Sequence, residues 1–278
     1  MRIGIIGGGV MGEVIVSSLL SKHVLDPSDI TVSDLSDTRR NDLSKNHGVN
    51  VTENNIELLD MSDIVMFCVK PQYSRPMMEA LSGHFKDGQV IVSIMAGVSI
   101  GTMSRLCKHN AIVRAMPNIP ASIGQGMTVW MSTDAVNDSS QMIIKMMFQT
   151  FGIEQQVADE DKIDAATAVS GSGPAYIFYM AESLMNAAMQ LGFNSEEAKR
   201  LSQQTFKGAM DLWYHTNDDP GALRRSVTSK GGTTEAALNT FEKHGTPAIF
   251  TDAIHQAYVR AGQLREVADG KNDPKDHD

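Results

Sequence analysis

Ile3-Gly4-Ile5-Ile6-Gly7-Gly8-Gly9-Val10-Met11-Gly12, near the start of the chain, joins an apolar run of strand length to a glycine-rich turn. Met11–Lys22 then has the length of a helix. The glycines match G-x-G-x-x-G, and each has its own task. Gly7 makes the tight turn, Gly9 leaves the backbone open to a pyrophosphate, and Gly12 lets the helix lie close to the strand. The helix starting near Val10 and Met11 points unpaired N–H groups and its positive end at the phosphates. Glycine-rich turns are common, so this one gains its weight from a strand before it, a helix after it and a chain that repeats the pattern.

The repetition runs to residue 158. Ile30–Asp34, Ile64–Lys70, Val90–Met95, Ile112–Met116 and Met127–Met131 are apolar runs of strand length, separated by helix-length segments such as Gln72–Ser82. Near-continuous apolar strands alternating with helices predict a mostly parallel sheet covered on both faces. The expectation is therefore an α/β domain over 1–158, doubly wound and of Rossmann type, that binds a dinucleotide. Past 158 the strand signal stops. Pro174–Leu191 is apolar except for a narrow stripe at Glu182, Ser183, Asn186 and Gln190, which predicts burial on several sides. Asn194 and Glu197 have capping-box spacing at the head of the next helix. Thr246-Pro247 opens another. Residues 159–268 are expected to be all-helical, and 269–278 a polar, frayed tail.

Composition narrows the function. With 24 basic and 33 acidic residues among 278, the net charge is −9, which offers no footprint for nucleic acid. No apolar run approaches the ~18 residues that span a bilayer. Cys68 and Cys107 lie far apart without CxxC spacing, and the N-terminus has no small-residue cleavage site. A cytoplasmic enzyme is expected. The eight histidines show no metal-ligand pairing, and Asp159-Glu160-Asp161 reads as a helix-start acid cluster, so no metal site is expected. Trp130 and Trp213 are assigned to the core, and Cys68 to a buried, inert position.

The second strand ends at Ser33-Asp34. An acid there accepts hydrogen bonds from the adenosine ribose of NAD and repels the extra phosphate of NADP. Arg39 and Arg40 follow, and either could hold that phosphate instead, so the choice between NADH and NADPH stays open.

Further segments carry a family resemblance. Val113-Arg114-Ala115-Met116-Pro117-Asn118-Ile119-Pro120 resembles the R-x-M-P-N-x-P segment of pyrroline-5-carboxylate reductases. Ser170-Gly171-Ser172-Gly173-Pro174-Ala175-Tyr176 is similar to that family's S-G-S-G-P-A-Y turn, and Ser226 through Leu238 resembles its C-terminal signature. Val69-Lys70-Pro71 agrees as well, and order and spacing fit from residue 1 to about 268. The departure is Lys230, where many members carry proline; its ammonium either helps hold an anionic substrate or points to solvent. The resemblance implies reduction of 1-pyrroline-5-carboxylate to L-proline, the last step of proline synthesis, with NADPH or NADH as donor. It also implies a helical C-terminal domain that interlocks with a second subunit in a homodimer or higher homo-oligomer.

The substrate is a cyclic imine bearing a carboxylate. A protonated imine is already a good electrophile, so the reaction requires neither metal nor covalent nucleophile. Positioning carries most of the work, roughly 7–11 kcal/mol in favourable systems. The carboxylate needs donors, and the Gly-Gly turn ahead of helix Glu235–Phe241 is a ready anion site. Ser229, Gly231, Gly232 and Thr233 are assigned to the substrate, with the Gly232 and Thr233 N–H groups as main donors. The Thr234 hydroxyl is assigned to the ring nitrogen, orienting it or relaying a proton from water. By resemblance, Ser172 and Gly173 join the substrate pocket, Asn118 lines the nicotinamide pocket, and Asn55 with Val69, Lys70 and Pro71 borders the cofactor.

Overall fold

The computed structural model describes residues 1–270. The chain begins β1 (Ile3–Ile6), α1 (Val10–Ser21), β2 (Ile30–Ser33), α2 (Asp37–His47), β3 (Asn50–Thr52), α3 (Asn55–Asp60) and β4 (Ile64–Phe67). It continues through α4 (Ser74–Ala80), β5 (Val90–Ser93), α5 (Ile100–Cys107), β6 (Ile112–Met116), β7 (Gly126–Ser132), α6 (Asp138–Gln149) and β8 (Gly152–Gln156). After β8 come α7 (Asp161–Ala166), a π turn (Thr167–Gly171), α8 (Gly173–Gln190), α9 (Ser195–Thr216), α10 (Pro220–Ser226), α11 (Thr233–Lys243) and α12 (Thr246–Asp269).

The strands form one sheet of order β3-β2-β1-β4-β5-β6-β7-β8. Every pairing is parallel except β6 with β7. Successive residues of a central strand face opposite layers. Ile5, Met66, Val92 and Val113 belong to the core on one face, and Ile6, Phe67, Ile91 and Ile112 to the core on the other. Burial on both faces is why these strands read as unbroken apolar runs. The sequence pattern missed β3 and β8, and both are edge strands. Asn50-Val51-Thr52 and Gly152-Ile153-Glu154-Gln155-Gln156 lack a buried residue at any position, so no apolar run marks them.

By contacts, the chain divides into Met1–Ser172 together with the stretch from Ala257, and Gly173–Gln256. The last strand ends at Gln156, close to where the sequence changes character. The contact boundary falls later because α7 packs under β6 and β7. It also gives the end of α12 to the first unit. Leu264 lies so close to Gly97 that a Cβ on that glycine would come 2.8 Å from its side chain. Arg265 pairs with Asp161 at 2.7 Å. Asp269 accepts hydrogen bonds from the Ser99 hydroxyl at 2.6 Å and from the Thr102 hydroxyl. Asp269 therefore ends a helix with its side chain engaged; the rest of the expected tail, 271–278, lies outside the described residues.

The second unit is helical. Asn194 and Glu197 form a reciprocal capping box at the start of α9. α8 packs along α9 but buries no residue completely within the chain. Phe178 and Tyr179 are 66% and 72% exposed. Trp213, expected in the core, is also exposed; Trp130 is buried, its indole N–H donating to Glu154 at 2.7 Å. Among the described residues no helix is long and apolar enough to cross a membrane.

Candidate active site

In the first unit the expected cofactor residues gather at the carboxyl ends of β1, β2 and β4. Strand order reverses between β1 and β4, and a parallel sheet opens a crevice at that point. Gly7 has φ +106°, and a Cβ there would lie 2.8 Å from the Cys68 carbonyl carbon, which sets the loop against Val69. At Gly12 a Cβ would meet the Gly7 carbonyl oxygen at 2.2 Å, so this glycine serves helix–strand packing. Gly9 differs, since a Cβ there would touch nothing within 4 Å. Among the described residues nothing requires glycine at position 9; a group brought from outside would.

The backbone at this loop has donors to spare. The first α1 hydrogen bond runs from the Glu13 N–H to the Gly9 carbonyl, and Gly9 at the N-cap has no side chain to offer. Among the described residues no acceptor meets the N–H groups of Val10, Met11 and Gly12. An anion with several oxygens fits this cradle.

Around it the polar residues are tightly engaged. The Asp34 carboxylate accepts from the Gly8 N–H at 2.8 Å and the Ser36 N–H at 2.9 Å. Arg39 grips the Gly8 carbonyl through Nε at 2.9 Å and Nη2 at 2.6 Å, and Nη2 also meets Glu13 at 2.8 Å. The Arg39 guanidinium, followed by the His47 ring, holds the Glu13 carboxyl below its usual range. Arg40 donates to the Asp34 carbonyl at 2.7 Å and reaches Asp37 and Glu53. The Ser33 hydroxyl donates to Asn55 Oδ1 at 2.5 Å, tying the end of β2 to the start of α3. Sequence reasoning missed the clamp on Gly8, because its residues are scattered from 8 to 39. Lys70 and Pro71 follow β4 at the entry to a short helical turn, Pro71–Tyr73.

Asn118 sits past β6 with its carboxamide occupied at both ends. Nδ2 donates to the Ser170 carbonyl at 2.9 Å, and Oδ1 accepts from the Met127 N–H at 2.9 Å. The residue expected to line the nicotinamide pocket thus makes one hydrogen bond at each end of its amide within the protein. Ser172 ends the π turn and Gly173 begins α8.

The second unit holds the other expected group. The Gly232 N–H closes a turn onto the Ser229 carbonyl at 3.0 Å, with Gly231 at φ +74°. A positive φ at the third position is that of a type II turn, which places Lys230 where proline is favoured. This accounts for the family's proline and for the tolerance of lysine. The Gly231 N–H donates to Glu235 at 2.8 Å. Of the two main donors expected for the substrate carboxylate, Gly232 is thus spent on the turn. The N–H groups of Thr233, Thr234 and Glu235, in the first turn of α11, meet no acceptor among the described residues, and the Gly232 N-cap supplies none. The half-buried Thr234 forms no hydrogen bond through its hydroxyl among the described residues.

The acid cluster 159–161 meets cations of its own chain. Glu160 accepts from Arg114 and from the Ile100 N–H, both at 2.8 Å, and Asp161 pairs with Arg265. Burial pushes the thiols of Cys68 and Cys107 up to about 12.

Comparison with known proteins gives matches over nearly the whole chain. Residues 2–97 match the family model for NADP oxidoreductase coenzyme F420-dependent, and residues 160–264 the model for pyrroline-5-carboxylate reductase dimerisation. A pyrroline-5-carboxylate reductase of Synechocystis sp. is 35% identical over 95% of this chain and 98% of its own. That of Escherichia coli is 31% identical, with the same coverage. The solved reductase of Coxiella burnetii superposes with TM-score 0.85 at 33% identity, and that of Plasmodium falciparum, with NADP bound, with TM-score 0.86 at 26%. In both cases 95% of this chain and 98% of the other are covered.

Proposed function

This chain belongs to the pyrroline-5-carboxylate reductase family, and on that footing we propose how its residues carry out the reaction. The chain is an NAD(P)H-dependent oxidoreductase that reduces 1-pyrroline-5-carboxylate to L-proline, and its helical part serves homo-oligomer assembly. The observation that carries this reading is identity of 35% sustained over 95% of the chain.

The dinucleotide is held by the N–H groups of Val10, Met11 and Gly12, with its pyrophosphate in the space that Gly9 leaves open. Ser33, Asp34 and Asn55 border its adenosine end, and Val69, Lys70 and Pro71 its nicotinamide end. The nicotinamide supplies the hydride. The substrate carboxylate accepts from the N–H groups of Thr233, Thr234 and Glu235, with the Ser229–Gly232 turn shaping the approach. Fixing the carboxylate at a helix N-terminus orients the ring and fixes which carbon receives the hydride. The Thr234 hydroxyl, without a partner among the described residues, faces the ring nitrogen and either orients it or passes it a proton from water. A threonine is too weak an acid to protonate the nitrogen alone. Ser172 and Gly173 are read as further substrate-binding residues. On sequence character, 1–158 is read as the cofactor-binding part and 159–268 as the part for substrate and assembly; by contacts, 159–172 and the end of α12 go with the first part. A reducing, cytoplasmic setting fits two thiols that stay unpaired and are held neutral by burial.

The test is reduction of 1-pyrroline-5-carboxylate followed at the nicotinamide absorbance, with NADPH and NADH in parallel. Turnover with at least one nucleotide is expected, and the ratio of the two kcat/KM values settles the preference. No turnover with either, in a protein that binds nucleotide, overturns the reading.

A further inference from the structure

The carboxamide of Asn118 bridges two segments that the sequence keeps apart. It accepts from the Met127 N–H at the start of β7 and donates to the Ser170 carbonyl in the π turn, each at 2.9 Å. Ser170 lies in Thr167–Gly171, whose closing hydrogen bond runs from the Ser172 N–H to the Thr167 carbonyl at 2.8 Å. A π turn is an uncommon backbone state that is found mostly at functional sites and needs support from its surroundings. Part of that support comes from the end of β6 and the loop after it. Gly171 rests against Met116 at the end of β6, where a Cβ would come 3.0 Å from the methionine methyl. Asn118, two residues further on, supplies the polar half of the same surface.

We propose that Asn118 is a positioning residue for the reduction: it holds the π turn in the shape that presents Ser172 to the imine, without touching the cofactor. The proposal rests on the reading that Ser172 belongs to the substrate pocket. Two features of the geometry favour this role. The carboxamide makes one hydrogen bond from its nitrogen and accepts one at its oxygen, and both partners are backbone groups of the segments being joined.

The experiment uses Asn118→Asp, Asn118→Ala and Ser172→Ala in the full chain. Asn118→Asp keeps the acceptor for the Met127 N–H but sets a carboxylate oxygen against the Ser170 carbonyl. Hydrogen exchange should quicken in peptides covering 167–173 while Met127 stays protected; Asn118→Ala should loosen both. KM for 1-pyrroline-5-carboxylate should rise about 3- to 30-fold, as expected for loss of one buried hydrogen bond and some disorder behind it. NADPH affinity should stay within about twofold. Unchanged exchange in 167–173, or weakened NADPH binding with unchanged exchange, overturns the proposal. If Ser172→Ala raises KM and Asn118→Asp does not, the pocket stands and the brace is refuted. If exchange quickens but KM stays put in both variants, the placement of Ser172 fails and the positioning role falls with it.

Discussion

Arg114 Nη2 lies 2.6 Å from Asp164 Oδ1, and the two side chains are 1% and 3% exposed. The pair joins β6 to α7, fifty residues further along the chain. Glu160 meets the other Arg114 nitrogen, and Arg265 from α12 stands 2.9 Å from Asp164 Oδ2. Two cations and three acids, counting Asp161, thus join β6 and α12 to α7 and the residue before it. Removing one member leaves a buried charge without its partner, which typically costs about 3–5 kcal/mol. Arg114→Met should lower the urea midpoint accordingly, and Arg114→Met with Asp164→Leu should regain most of the loss. A single variant as stable as the parent would show that the network carries no net energy.

Gly9 and Gly12 should fail in different ways. A Cβ at Gly9 has nothing within 4 Å among the described residues, so Gly9→Val should fold and melt near the parent temperature while losing nucleotide affinity. Gly12→Val drives a side chain into the Gly7 carbonyl, so it should lose stability first. NADPH titration beside thermal melting separates the two. A folded Gly9→Val protein with unchanged affinity would remove the pyrophosphate from this loop.

Thr234→Ala removes one hydroxyl and little volume. Loss of a neutral hydrogen bond costs about 0.5–1.5 kcal/mol, and more when its partner is charged. A fall in kcat/KM of roughly 3- to 100-fold is expected, with NADPH affinity intact. Gly232→Val should be worse, because a Cβ there lies 2.5 Å from the Ser229 hydroxyl and 3.0 Å from the Ser229 carbonyl oxygen. Full activity in both would move the substrate away from the head of α11.

Lys230→Pro tests the turn. At the second position of a turn with Gly231 at φ +74°, proline is preorganised and should stabilise the protein by about 0.4–1 kcal/mol through the unfolded chain. Unchanged KM for the imine acid would place the Lys230 ammonium in solvent. A marked rise would assign it to the substrate carboxylate.

Phe178→Asp or Ala181→Asp tests assembly. α8 buries none of its residues fully in a single chain, although it is apolar over most of its surface. An unpaired carboxylate placed in a subunit interface costs several kcal/mol. Monomers or aggregates are expected by light scattering. A fully active oligomer from both variants would move the interface off this face.

The central strands, the glycine loop, the capping box at Asn194 and Glu197 and the turn before α11 were legible in the sequence. Each is set by a few adjacent residues: two-sided burial makes an apolar run, a tight turn needs glycine, and a cap needs its partner three residues on. The same locality marked Thr234 and its neighbours as the head of a helix. It misassigned the Gly232 N–H, because a turn's own hydrogen bond draws on the same donors as a ligand would. Trp213 misled for a related reason. An apolar residue left exposed on a helix looks the same in sequence as one buried in the core.

What the sequence determined on its own is therefore the order and type of the elements and the places where backbone N–H groups would gather. Tertiary structure alone decided which of those groups remain unspent. It also decided that Asn118 joins β7 to the π turn, that Arg114 finds Asp164, that Arg39 grips Gly8, and that the end of α12 returns to the first unit. The physical reason is that hydrogen bonds and ion pairs are satisfied by whatever lies near in space. A side chain's chemistry says what it can bind, but only the fold says what has already bound it.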